Sequence, residues 1–167
     1  DTLSHYFYIL NIENYYTKIE TAEKLVAAVR PEAISFFVGN GHGVYLKAPH
    51  IGWDRIREIT DMARPYGAQG VLHGGSGLVP EDFNRAIHNG ARKFNYATAL
   101  SDIWFKHFPG ALTQKMEAFA KEKGKPMRYI LNHFLPELEK MDHTEAEKEI
   151  EEHMKMMMEK AFLSAGK

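Results

Sequence analysis

Two histidines occupy glycine-rich stretches of this 167-residue chain: His42 in Gly39-Asn40-Gly41-His42-Gly43-Val44-Tyr45, and His73 in Leu72-His73-Gly74-Gly75-Ser76-Gly77. The chain has no cysteine, so thiolate zinc sites are excluded and any metal must be held by imidazole and carboxylate. Gly74, Gly75 and Ser76 make a loop whose backbone can approach a ligand closely, with amides and one hydroxyl to offer to phosphate oxygens. Two bland readings compete with these. A histidine beside glycine can be a turn residue, and Gly-Gly-Ser-Gly can be a plain tight turn. Asn95 and Thr98 add an amide and a hydroxyl, and both are also ordinary residues for a strand end.

The elements that must position these residues follow from periodicity. Ala33-Ile34-Ser35-Phe36-Phe37-Val38 and Gly70-Val71-Leu72 read as buried parallel strands, which puts both imidazoles where a strand gives way to a loop. In α/β folds chemistry is placed on that rim. Thr21 to Val29 has helical spacing and Pro31 stops it; Trp53 to Ala63 predicts a second helix with Ile56, Ile59 and Met62 on one side. Pro80 opens a third helix, Pro80 to His88, and beyond Gly90 a short strand leads to Asn95. The order helix, strand, helix, strand, helix, strand is that of a parallel α/β fold. From Leu100 onward the pattern is helical. Leu112 to Lys123, Met127 to Met141 and Thr144 to Leu163 are separated by Gly124-Lys125-Pro126 and by Asp142-His143.

Lys93-Phe94-Asn95-Tyr96-Ala97-Thr98 supplies a third motif, one βα unit after the His73 loop. Together the three resemble the signatures of the metal-dependent (class II) ketose-bisphosphate aldolases, which include fructose- and tagatose-bisphosphate aldolases. Ser164-Ala165-Gly166-Lys167 resembles the usual carboxyl terminus of that family. The likeness is close from Tyr16 to Thr98 and weaker through the helical remainder.

The resemblance carries expectations. The fold would be part of a TIM (β/α)8 barrel: late strands in residues 1–99, then a helical carboxyl-terminal extension in residues 100–167 of the same domain. Zinc would be held by His42 and His73. The third histidine and the proton-transferring aspartate are expected in the early strands, outside this chain. Gly43, Gly74, Gly75, Ser76, Asn95, Tyr96, Ala97 and Thr98 would bind substrate, with a monovalent cation admitted near these loops. The implied activity is glycolytic in type: reversible cleavage of a ketose 1,6-bisphosphate, fructose or tagatose, to dihydroxyacetone phosphate and glyceraldehyde 3-phosphate. Many fructose-type relatives have Asp where this chain has Ala97, and Asn-x-Ala-Thr looks more like the tagatose-type branch. The alternative expectation is a non-catalytic fragment or subunit that binds sugar phosphate without the third histidine and the aspartate.

Three parallel strands with their helices fall short of a barrel, which needs eight strands and typically about 250 residues. The chain opens at Asp1-Thr2-Leu3-Ser4 without methionine, which fits a processed end or a larger protein entered midway; the family resemblance favours the second, and the incomplete barrel implies a partner segment, either upstream in the same gene product or a separate polypeptide. The stripe Ile150, Met154, Met157 and Ala161 would pack on the barrel or on a second subunit, and the family likeness favours a homo-oligomer.

Composition narrows the partners. With 44% hydrophobic residues the chain can bury a core, and a formal net charge of −1 with no long basic run gives no electrostatic case for nucleic acid or a membrane surface. No signal-peptide pattern and no bilayer-length apolar stretch occur, so a cytoplasmic protein is the default expectation.

Overall fold

The computed structural model describes residues 12–41 and 49–162. These divide into two compact units, one of residues 12–99 with 156–162 and one of residues 100–155.

The first unit is a three-stranded parallel sheet in the order β1-β2-β3, with β1 at Ala33–Ser35, β2 at Gln69–Leu72 and β3 at Ala91–Phe94. Ile34 pairs with Gly70 across one ladder, and Leu72 with Phe94 across the other, where a register shift falls at Gly70/Val71. Helices α1 (Ile19–Val29), α2 (Trp53–Ala63) and α3 (Pro80–His88) alternate with the strands. Each turns a buried stripe inward. Ala22 and Val26 of α1 pack with Ile34, Ala63 and Ala68, while Ile56 and Ile59 of α2 and Phe83 and Ala86 of α3 join Phe36, Val38 and Leu72. Spacings of three and four bring such residues to one side of a helix, and sequestering a side chain of Phe83's size contributes about 1.5–3 kcal/mol. Met157 and Ala161 complete this core.

The sheet corrects one expectation. The strand read over Ala33 to Val38 ends at Ser35. Phe37 is diverted from the ladder by Thr17, whose hydroxyl accepts from the Phe37 N–H at 2.8 Å and whose own N–H donates to the Phe37 carbonyl at 2.8 Å. Nor is β1 wholly buried: Ala33 and Ser35 are exposed on either side of Ile34.

Helices α4 (Thr98–Lys106), α5 (Gly110–Lys123), α6 (Leu135–Leu138) and α7 (Thr144–Lys160) follow. The core of the second unit is Phe108, Met116, Ala120, Ile130, Phe134 and Leu138, with Trp104 edge-on to Phe108 at 4.9 Å and Phe119 edge-on to Phe134 at 5.5 Å. Here the expected helix Met127 to Met141 is broken into two 3-10 turns, Met127–Tyr129 and Leu131–Phe134, before the short α6. Pro136 is the cause. Inside a continuous helix it would remove a hydrogen bond and press its ring on the carbonyl four residues back, so a helix can start there but not run through. The last helix, expected to run to Leu163, ends at Lys160, and Leu163 itself lies outside the described residues. Among the described residues no helix is long and apolar enough to cross a membrane.

Candidate active site

The three motifs meet where β2 and β3 end. Asn95 follows β3 and is anchored through its backbone, its N–H donating to the Leu72 carbonyl at 3.0 Å and its carbonyl accepting from the Gly75 N–H at 3.2 Å. Its side-chain amide reaches the imidazole of His73, with Nδ2 2.9 Å from Nδ1 and 3.4 Å from Nε2. Ser76 lies in a 3-10 turn, Gly75–Gly77, and its Oγ accepts from the Ala97 N–H at 3.2 Å. His73, Gly75, Ser76, Asn95 and Ala97 are thus brought together by bonds between loops that lie about twenty residues apart in the chain.

Gly74 and Gly75 allow this closeness for different reasons. Gly74 has φ +71°, and a Cβ there would fall 1.8 Å from the Gly41 carbonyl oxygen, so only glycine lets the two loops touch backbone to backbone. At Gly75 the constraint is space: a Cβ would come within 3.1 Å of the Phe83 ring beneath it. Gly41 therefore lies against the loop that follows His73. His42 and Gly43, expected as metal ligand and substrate contact, fall outside the described residues.

Tyr96 and Thr98 are set differently. The Tyr96 ring stands edge-on to Phe83 at 6.0 Å and to Phe162 at 6.5 Å, and burial pushes its phenol above the ordinary value. Thr98 opens α4 and is buried.

Two residues of this cluster escaped the motif reading. Asn40, buried, accepts from the Val38 N–H at 2.8 Å and donates from Nδ2 to the His73 carbonyl at 3.0 Å, tying the end of the first loop to the second. An asparagine between two glycines is suited to such backbone bonding, which was the available signal. Lys93, exposed, directs its ammonium to Asn95 Oδ1. Its signal was the two-residue spacing from Asn95, which puts both side chains on one face of an extended chain.

His50, His88, His107 and His143 are engaged elsewhere. His50 pairs with Glu13 at 2.9 Å, His88 Nδ1 meets the Asn84 carbonyl at 2.7 Å, and His107 Nε2 lies 2.8 Å from Glu149. His143 takes the Trp104 indole N–H on Nδ1 at 3.0 Å and donates from Nε2 to the Leu138 carbonyl at 2.8 Å.

Among the described residues no three His, Cys, Asp or Glu side chains converge as a metal cluster. Of the two expected ligands His73 is the one described, and its donor chemistry fits zinc: a half-buried imidazole at a strand end, with the Asn95 amide nitrogen near both of its ring nitrogens.

Solved structures of known proteins are similar to this chain. Among solved structures, a fructose-bisphosphate aldolase from Campylobacter jejuni is 16% identical with a TM-score of 0.55, the match covering 87% of this chain and 45% of that one. A putative fructose-1,6-biphosphate aldolase from Coccidioides immitis is 24% identical with a TM-score of 0.50, over 60% of this chain and 37% of that one. The YdjI aldolase from Escherichia coli K12 is 25% identical with a TM-score of 0.49, over 60% and 39%. The chain spans less than half the length of each of these structures. A family model for class-II fructose-bisphosphate aldolase matches residues 8–167. With nearly its whole length matched, this chain belongs to the class-II fructose-bisphosphate aldolase family.

Proposed function

We propose that the chain is the late part of a (β/α)8 barrel in a zinc-dependent aldolase that reversibly cleaves a ketose 1,6-bisphosphate to dihydroxyacetone phosphate and glyceraldehyde 3-phosphate. The observation that carries this reading is the convergence of His73, Ser76 and Asn95 at the carboxyl ends of β2 and β3, the rim on which a parallel α/β fold places its chemistry. His73, with His42 as its expected companion, would hold the metal. Bound zinc supplies Lewis-acid polarisation of the ketose carbonyl.

The chain's own groups do the rest by position. Ser76 Oγ accepts from Ala97, so its proton can be given to a phosphate oxygen while the loop stays in place. The start of α4 at Thr98 adds the electropositive end of a helix, a favourable setting for an anion. Asn95, held by backbone bonds on both sides, can turn its amide to a substrate hydroxyl without moving its Cα. Ala97 in place of an acidic side chain favours tagatose 1,6-bisphosphate over the fructose isomer.

The test is cleavage by the full-length protein of both bisphosphates, read as triose phosphate released. Activity lost with a chelator, restored by zinc and abolished by His73→Ala is the expected result. Turnover unchanged by His73→Ala would sink the reading, and sugar-phosphate binding without any turnover would leave the non-catalytic alternative.

A further inference from the structure

We infer that Tyr16 is a positioning residue that clamps together the two stretches of chain, 38–41 and 49–52, between which the His42 segment runs. Its hydroxyl donates to the His50 carbonyl at 2.8 Å. Beside that bond the Gly52 N–H donates to the Val38 carbonyl at 2.9 Å, so the two stretches are also joined to each other. The ring is fitted as closely as the hydroxyl. A Cβ on Gly39, at φ +93°, would fall 2.0 Å from the same His50 carbonyl oxygen and 3.3 Å from one edge of the Tyr16 ring, and a Cβ on Gly52 would fall 2.4 Å from the opposite edge. Glycine on both sides lets one aromatic ring touch both stretches at once.

Tyr16 is itself held. It is buried, and the next residue, Thr17, exchanges two hydrogen bonds of 2.8 Å with the backbone of Phe37, whose ring stands edge-on to Tyr16 at 6.3 Å. Burial first, and the charge of Glu13 second, raise the phenol above its ordinary value, so the hydroxyl keeps the proton that it donates.

The bearing on metal rests on the function proposed above. His42, the second expected zinc ligand, follows Gly41 directly. Asn40 ties the stretch before it to the His73 carbonyl, and Tyr16 ties the stretch after it at His50. One anchor thus faces the loop of the other expected ligand, and the second is Tyr16.

Hydrogen exchange at the Gly52 amide, followed by NMR in the full-length protein, reads the clamp without any metal. Tyr16→Phe keeps the ring and removes only the donor; it is expected to speed Gly52 exchange about tenfold and to weaken zinc binding about tenfold. Val26→Ala is the control for lost stability, since Val26 is fully buried in a cluster that does not include Tyr16. It should lower the unfolding midpoint and leave both Gly52 exchange and zinc affinity as in the wild type. Unchanged Gly52 exchange in Tyr16→Phe, or equal changes in the two variants, overturns the proposal. Wild-type protein that binds no zinc would sink the metal reading, while Gly52 exchange would still decide the role of Tyr16.

Discussion

In the α/β unit, Asn40, Ser76 and Asn95 direct their side chains to backbone groups or to an imidazole on another loop, joining segments 21 to 33 residues apart. In the helical unit, beside the His143 bonds to Trp104 and Leu138, the polar partners include paired ions: Lys106 and His107 on Glu149, and Lys115 on Glu137. The two arrangements differ in what they can hold. A surface ion pair is worth about 0–1 kcal/mol and is weakened by salt, whereas a buried amide that loses its partner costs about 1–3 kcal/mol. The buried Asn40 amide is the bond of this cluster most costly to lose, and the helical unit has an aromatic core.

The largest test of this contrast is Phe83→Ala, which removes the ring beneath Gly75 and beside Tyr96 and should cost about 3–5 kcal/mol in denaturant unfolding. Next are two glycines of the same backbone hand in different surroundings. Gly74→Ala meets the Gly41 carbonyl and should lose about 3 kcal/mol or more. Gly124→Ala, at φ +60° after α5 with nothing within 4 Å, should lose only about 1 kcal/mol. Equal losses would mean that the backbone contact between the two loops contributes nothing. Asn40→Ala should cost about 1–3 kcal/mol by leaving the Val38 N–H and the His73 carbonyl without that amide, while Glu149→Gln, on an exposed pair, should leave the unfolding midpoint nearly unmoved.

The smallest effects separate by pH. Burial raises the phenols of Tyr96 and Tyr16 above 10.0, so the stability they contribute is fully present below that value and lost as pH rises through the folded one. Hydrogen bonds from Lys106 and His107 lower Glu149, and one from Lys115 lowers Glu137, so their contribution is present above 4.5 and lost as pH falls through the folded values. Tyr96→Phe should flatten part of the alkaline limb and leave the acid limb alone. Far-ultraviolet circular dichroism across both limits checks this.

Local pattern was enough for the helices whose punctuation is simple. Trp53–Ala63 and Pro80–His88 stand as the apolar spacing and Pro80 predict. It misled where one residue acts across the chain or against the pattern: Thr17 shortens β1 from a distance, and Pro136 breaks a run whose apolar spacing alone looks helical. The same distinction holds at the site. The glycine-flanked His73 and the Asn95 motif were visible because loop chemistry is local. The parts played by Asn40 and Lys93 were not, since each depends on which strand ends are neighbours, and sheet order is written in no single segment.

The central claim is that His73 is a zinc ligand at the rim of a class-II aldolase site. Anomalous diffraction at the zinc edge from crystals of the zinc-loaded full-length protein tests it most directly. The account predicts a zinc peak about 2.0–2.1 Å from a His73 ring nitrogen, with the Asn95 amide moved off Nδ1. Zinc bound elsewhere, with Asn95 still 2.9 Å from His73 Nδ1 as it is here, would contradict it.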